Sequence, residues 1–65
     1  MRIVVNHIPR DLPALSKVSD LLQFISAKPP YAVAVNLQFI PKTQHSIHIL
    51  EENDQVEVIA PVTGG

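Results

Sequence analysis

The feature that most constrains the fold is a single amphipathic helical segment in a chain that otherwise favours strands. Over residues 16–28, apolar residues recur at the spacing i, i+3, i+4, i+7, which puts them on one helix face. These residues are Val18, Leu21, Leu22 and Ile25. We expect Ser16 to be the N-cap and Pro29-Pro30 to end the helix at Lys28. One apolar helix face needs a second layer to cover it, so the helix must pack on a sheet.

The segments around the helix are rich in β-branched residues, which favour strands. The sequence predicts strands over residues 1–6, 31–37 and 55–60, an edge strand interrupted by proline over 8–12, and a short strand over 38–41. We expect turns at Asn6-His7 and after Asn36, and a left-handed conformation at Asn53. Residues 42–50 have no clear period and are predicted to form a turn or one turn of 3₁₀ helix.

One helix laid across one sheet predicts an α+β fold of the β-grasp type, with a mixed sheet of four to five strands. By analogy with that arrangement, the first and last strands are central parallel neighbours. Val4 and Ile59, with Ala32 or Ala34, then lie on the face away from the helix. There, a contiguous apolar patch of Val4 and Ile59 would mark a possible partner site. At 65 residues the chain is predicted to be one domain, residues 1–65, with 61–65 as a flexible tail.

Composition excludes several classes of function. A formal net charge of −1 gives no electrostatic attraction to nucleic acid or anionic membranes. No apolar run approaches the length of a membrane span, and the N-terminus lacks the apolar core of a signal peptide. We therefore expect a cytoplasmic protein. The absence of cysteine excludes disulfides and thiolate metal ligands.

The remaining polar side chains do not form a recognisable catalytic or metal-binding pattern. The three histidines, His7, His45 and His48, lack zinc-ligand spacing and are expected at the surface or half-buried. The acidic residues Glu51, Glu52 and Asp54 are expected to form a solvated turn. No serine has a neighbouring His–Asp arrangement. We therefore predict neither catalytic side chains nor a metal site.

The last residues carry the clearest chemical signal. The only two glycines are Gly64 and Gly65. Without a Cβ, two glycines enter a narrow channel in a partner and adopt backbone angles closed to other residues. With Val62 and Thr63 they form an arm of roughly 13 Å, at about 3.3 Å per residue. The Gly65 carboxylate is then a reactive handle.

The order and spacing of several short motifs resemble the thiamine-biosynthesis sulfur-carrier family (ThiS). The resemblance covers essentially the whole chain and ends on the terminal Gly-Gly. Its motifs are Val18-Ser19-Asp20-Leu21-Leu22, Val33-Ala34-Val35-Asn36, Ile40-Pro41-Lys42, Glu52-Asn53-Asp54-Gln55-Val56 and Val62-Thr63-Gly64-Gly65. The chain departs from the family pattern at four positions. Lys17 stands where threonine is common, Lys42 replaces arginine, His45 replaces tryptophan and Asn53 replaces glycine.

The resemblance implies a carrier, not an enzyme, with no permanently bound cofactor. An E1-like adenylating enzyme would use ATP to activate Gly65, a persulfide donor would convert it to a thiocarboxylate, and a thiazole synthase would take the sulfur. Val62, Thr63 and Gly64 would form the docking tail. Three other functions remain open at this stage. One is a carrier like the small subunit of molybdopterin synthase, and another is a ubiquitin-like modifier joined to lysines through Gly65. The third is a plain interaction module in which the Gly-Gly end is incidental.

Overall fold

The computed structural model describes residues 1–60, which form a mixed five-stranded sheet with one α-helix. The elements are β1 (Arg2–Val5), β2 (Ile8–Asp11), α1 (Val18–Phe24), β3 (Ala32–Val35), β4 (Gln38–Ile40) and β5 (Gln55–Ile59), with one 3₁₀ turn at Lys42–Gln44. The strand order is β2-β1-β5-β3-β4. β1 and β5 are parallel, and the other neighbours are antiparallel. The predicted α+β fold and central parallel pair are confirmed. The predicted tail, residues 61–65, lies outside the described residues.

The core forms between α1 and one face of the sheet. Alternate residues of each strand point to this face, as the two-residue period of a strand requires. The buried apolar side chains form one cluster: Ile3, Val5, Leu12, Val18, Leu21, Leu22, Val33, Val35, Ile40, Leu50 and Val56. Three of the four helix residues predicted from the sequence belong to it, and the fourth, Ile25, is partly buried against it.

The helix begins later than the sequence predicted, and Ser16 is not its N-cap. The N-cap residue is Lys17, whose backbone N–H donates to the Asp20 carboxylate at 2.9 Å. The Ser16 hydroxyl instead donates to the Pro13 carbonyl at 2.7 Å. Ser16 is therefore buried as part of the preceding turn, and its side chain is not available to the helix.

Carbonyl groups from a distant segment satisfy the first N–H groups of the helix. Val18 donates to the His48 carbonyl at 3.0 Å, and Ser19 donates to the His45 carbonyl at 2.8 Å. These donors have no partner inside a helix and otherwise need a capping side chain or water. The segment after β4 thus replaces the predicted serine cap.

The helix also ends earlier than predicted, ahead of the two prolines. Ser26 adopts a left-handed conformation, with φ of 57°. Its N–H donates to Gln23 at 3.1 Å, and the Ala27 N–H donates to Leu22 at 2.9 Å. This is the paired hydrogen bonding of a Schellman cap, with serine where glycine is usual. The cap terminates the helix after Phe24.

Four strands form two hairpins that share one turn geometry. The first hairpin is β1–β2, with φ of 49° at Asn6 and 69° at His7. The second hairpin is β3–β4, with φ of 51° at Asn36 and 69° at Leu37. Positive φ at both central residues defines a type I′ turn, whose twist matches that of the strands. Both predicted turns are confirmed.

The acidic turn before β5 is more than a solvated loop. Asn53 has the predicted positive φ, 69°. Asp54, however, is buried, and its carboxylate accepts the Glu51 N–H at 2.8 Å. The Glu52 carboxylate accepts the Arg2 N–H at 3.0 Å. The expectation of a fully solvated turn is wrong for Asp54, because its carboxylate closes the turn that starts β5.

Candidate functional site

Strand β5 leads directly into the last residues of the chain and is held on both sides along its length. On one side Ile59 pairs with Ala32 of β3. On the other side the Asn6 side chain replaces a strand partner. Its Oδ1 accepts the Val58 N–H at 2.9 Å, and its Nδ2 donates to the Val58 carbonyl at 3.1 Å. The base from which the predicted tail starts is therefore anchored in the sheet.

The predicted covalent and docking residues follow this base. They are Val62, Thr63, Gly64 and Gly65, and all four lie outside the described residues. Their roles stay predictions.

The sheet face away from α1 carries an apolar patch near the end of β5. Ala32 pairs with Ile59, and Ala34 lies between Glu57 and Phe39 in the register. Ile59 is 55 % exposed and Phe39 is 62 % exposed. We call Ala32, Ala34, Phe39 and Ile59 the outer apolar patch. The patch therefore flanks the strand after which residues 61–65 follow.

The expected pairing of Val4 with Ile59 in one patch is not what the register gives. Their strands are neighbours, as predicted, but Val4 lies opposite Gln55. Ile59 is four residues further along β5, or about 13 Å at the rise of a strand. Val4 is also half-buried. Ile59 adjoins the alanines of β3 instead, so Val4 does not belong to the outer apolar patch.

A groove crosses the same face above the start of β5. Its walls come from the turns of the two hairpins and its floor from β5. The lining residues are His7, Asn36, Leu37, Gln55 and Glu57. Leu37 is 91 % exposed at the tip of its turn. The groove thus has a polar floor that includes one carboxylate, Glu57, beside the outer apolar patch.

The position at which the family commonly has tryptophan is occupied by a buried histidine. His45 is only 8 % exposed, although the sequence predicted a surface or half-buried residue. Its ring stacks on Tyr31 with 6.0 Å between centroids and 27° between planes. Its Nε2 lies 3.1 Å from the Ile40 carbonyl oxygen. His45 is thus a buried residue that packs on an aromatic ring, and the expectation of a surface or half-buried histidine is wrong at this position.

A cleft lies beside this stacked pair, on the helix side of the sheet. It measures about 420 Å³, and its lining includes Leu22, Ala27, Tyr31, Lys42 and His45.

Within residues 1–60 we find no group of three or more His, Asp or Glu side chains arranged to hold a metal ion. Across the same residues, no helix is both long and apolar enough to span a membrane.

The fold and its outer face define a ubiquitin-like β-grasp domain. The chain belongs to the ThiS family, whose family model matches residues 3–65. This is a family of small sulfur-carrier proteins rather than catalysts, so membership supports a carrier role in thiamine biosynthesis.

Two further comparisons place the chain in context. The chain superposes on the crystal structure of the thiamine biosynthesis protein ThiS from Geobacter metallireducens with a TM-score of 0.85. The match covers 100% of both chains at 20% sequence identity, so it supports the fold. A comparison with curated proteins gave no match.

Proposed function

We propose that this protein carries sulfur, as a thiocarboxylate on Gly65, to the formation of the thiazole ring of thiamine. The observation that carries the proposal is the family match, which extends through residue 65 and therefore includes the Gly-Gly end. A carrier needs a stable body for recognition and a thin end for delivery. The anchored strand β5 and the two glycines after it suit these two roles.

The first step is activation of the Gly65 carboxylate by an E1-like adenylating enzyme. A carboxylate is a poor electrophile, because neither oxygen is a good leaving group. One carboxylate oxygen attacks the α-phosphorus of ATP, and pyrophosphate leaves. The resulting acyl adenylate has AMP as a good leaving group. ATP binds to the partner, so the carrier itself has no resident cofactor.

The second step replaces AMP with sulfur. The terminal sulfur of a persulfide donor attacks the acyl carbon, AMP leaves, and an acyl disulfide forms. A thiol then cleaves the S–S bond, which leaves the thiocarboxylate on Gly65 and a disulfide on the donor side. A thiazole synthase finally takes the sulfur. This carrier has no cysteine, so the thiols must come from its partners.

Recognition in this proposal combines the tail with the outer apolar patch. Gly64 provides access to a narrow channel, and Thr63 and Val62 extend the arm that docks there. Ile59 and Phe39 provide exposed apolar area next to the base of the arm. Large exposed side chains near the centre of an interface contribute most of its binding energy. We expect these steps to occur in the cytoplasm.

The test of the chemistry is ATP–pyrophosphate exchange by the adenylating enzyme. The full chain is expected to support exchange. With a chain lacking Gly65 we expect no exchange, although the circular dichroism spectrum of that chain should be unchanged. Exchange that continues undiminished without Gly65 would contradict the proposal. A loss of exchange together with a melted domain would show that Gly65 matters for folding, which is also contrary to the proposal.

The test of the surface uses two isoleucines of similar exposure. Ile59 is 55 % exposed in the outer apolar patch, and Ile47 is 61 % exposed in the segment after β4. We expect Ile59→Asp to raise the KM for the carrier by about tenfold or more, equivalent to about 1.4 kcal/mol. The matched Ile47→Asp is expected to change it by less than about twofold. Equal effects of the two substitutions would remove the patch from the account.

A further inference from the structure

The sheet has two outer strands, β2 and β4, and they differ in what they offer to another strand. In the part of the chain that the structure describes, each has a neighbour on one side only. Unpaired N–H and C=O groups on an outer strand are a template for pairing with another chain. The direction in which each backbone group points therefore decides whether the edge is open.

The hydrogen-bond pattern shows that Phe39 of β4 points its backbone groups outward. The Asn36 N–H donates to Gln55 of β5 at 2.7 Å. Bonding direction alternates along an antiparallel strand, so Ala34 also bonds toward β5. Ala34 lies opposite Phe39 in the register. Phe39 therefore sits at a pair without mutual hydrogen bonds, and its N–H and C=O face away from β3.

The same reasoning shows that the edge at β2 is closed. The N–H groups of Val4 and Asn6 point toward β5: Val4 donates to the carbonyl of Asp54, just before β5, and Asn6 to that of Val56, each at 2.9 Å. Val4 lies opposite Pro9, and Arg2 lies opposite Asp11. Pro9 and Asp11 are thus the outward residues of β2. Pro9 has no N–H to donate, and Asp11 is charged and lies 3.6 Å from the Arg2 Nε.

We infer that β4 pairs with β4 of a second copy of this chain. The two strands run antiparallel about a two-fold axis that passes beside Phe39. The N–H of each Phe39 donates to the carbonyl of the other, which satisfies the outward donor and acceptor on both copies. The sheets then continue from one copy into the next across this edge.

A second copy fits this edge because the edge is self-complementary. One outward N–H and one outward C=O on the same residue are matched by the same pair turned through 180°. Residues 37–41, Leu-Gln-Phe-Ile-Pro, carry no charge, so two copies do not repel each other there. The two Phe39 rings meet on the outer face, where each is 62 % exposed in the single chain.

The closed edge at β2 limits the assembly to two copies. A chain with two open edges forms open-ended stacks, whereas one open edge gives a closed dimer. The paired strand has only three residues, Gln38–Ile40. The area buried by three paired residues is far smaller than the roughly 800 Å² per partner of a stable interface. The dimer is accordingly weak, with a dissociation constant of roughly 0.1–1 mM.

Sedimentation equilibrium from micromolar to millimolar concentrations tests the inference. The weight-average mass of the unaltered chain is expected to rise toward that of a dimer. Phe39→Pro removes the outward N–H, as Pro9 already does on the other edge, and is expected to stay monomeric throughout. Phe39→Thr keeps the N–H and is expected still to dimerise measurably at millimolar concentration, more weakly than the unaltered chain but more strongly than Phe39→Pro. A threonine variant as monomeric as the proline variant would overturn strand pairing.

An independent measurement needs no variant and so does not depend on whether Phe39→Pro folds. The amide resonance of Phe39 is expected to shift with protein concentration, while that of Asp11, outward on β2, stays constant. A chain that remains monomeric at millimolar concentration, with a constant Phe39 resonance, would overturn the inference. Association that shifts Asp11 and leaves Phe39 unchanged would overturn it too.

Discussion

The two hairpins of this protein have the same backbone geometry, but the outer strand of the first is closed to pairing with another chain and that of the second is open. Each has a two-residue type I′ turn that begins with asparagine, and each asparagine side chain binds β5. At the outward position of the outer strand, the first hairpin has Pro9 and the second has Phe39. The two hairpins thus share one backbone conformation, and a single residue in each decides whether that edge of the sheet can pair with another strand.

On a small sheet, the side chains of a hairpin therefore decide whether it can bind another protein more than its topology does. The first hairpin has proline and an exposed Arg2–Asp11 contact at its edge. The second hairpin contributes Ala32, Ala34 and Phe39 to the outer apolar patch, next to the strand that leads into the tail. The three predictions below test where the hairpins are equivalent and where they differ.

The largest effect is expected in the core, where the two hairpins should be equivalent. Ile3 in the first hairpin and Ile40 in the second are both buried. Changing either to alanine is expected to cost about 2–5 kcal/mol, through lost transfer energy and a residual cavity. A domain of this size has only about 3–5 kcal/mol in total. Both variants should therefore be largely unfolded even before urea is added, which urea titrations followed by circular dichroism will show.

The control for this pair is Ile47→Ala, because Ile47 is exposed. We expect it to change the free energy of unfolding by less than about 0.5 kcal/mol. If Ile3→Ala unfolds the protein and Ile40→Ala does not, the second hairpin is not part of the same cooperative core.

An intermediate effect is expected at the two asparagines, where the hairpins should differ. Glycine keeps the positive φ of either turn, so Asn→Gly removes only the side-chain hydrogen bonds. Asn36 also donates to the buried Asp54 carboxylate at 3.0 Å. Asn36→Gly is therefore expected to cost about 2–3 kcal/mol and Asn6→Gly about 1 kcal/mol, since the bonds of Asn6 are exposed.

Urea midpoints of the two glycine variants measure this difference. A greater loss for Asn6→Gly would reverse the proposed ranking. The cycle that combines Asn36→Gly with Asp54→Ala isolates the contact between the two side chains. Additive losses in that cycle would mean that the Asn36–Asp54 hydrogen bond contributes nothing.

The smallest effect is expected at the second turn residues, where the hairpins should again agree. Leu37 and His7 both have φ of 69°, a conformation that costs a residue with a Cβ about 1 kcal/mol. Leu37 is almost fully exposed, so its removal loses little packing. Leu37→Gly and His7→Gly are each expected to raise stability by about 0.5–1 kcal/mol. A higher thermal midpoint supports this, and a lower one for Leu37→Gly would show that the leucine has a packing role.

The sequence predicts most of the sheet, because strand signals are local. Alternating β-branched residues located β1, β3 and β5, and the asparagines located both turns. The outward direction of Phe39 and Pro9 also follows in principle from a two-residue turn and the alternation of hydrogen bonds. The parallel pairing of β1 with β5 does not follow locally and came from the resemblance to the β-grasp arrangement.

The errors arose where distant segments decide local structure. Ser16 fits an N-cap by type, yet its hydroxyl binds Pro13, and carbonyl groups of the segment after β4 cap the helix instead. The helix ends after Phe24 because Ser26 adopts a left-handed conformation, which no glycine in the sequence signals. For the candidate site, the two-residue period of the strands placed Ile59 and the alanines of β3 on the outer face. The pairing of Ile59 with Ala32 was not predicted, because strand register is a tertiary property.

The most direct test of the carrier function is the intact mass of the protein purified from cells grown without thiamine. The account predicts a fraction heavier by the difference between one sulfur and one oxygen atom. Fragmentation should assign that difference to Gly65, and a chain lacking Gly65 should not show it. A single unmodified mass, with or without chains joined to lysines through Gly65, would contradict the account.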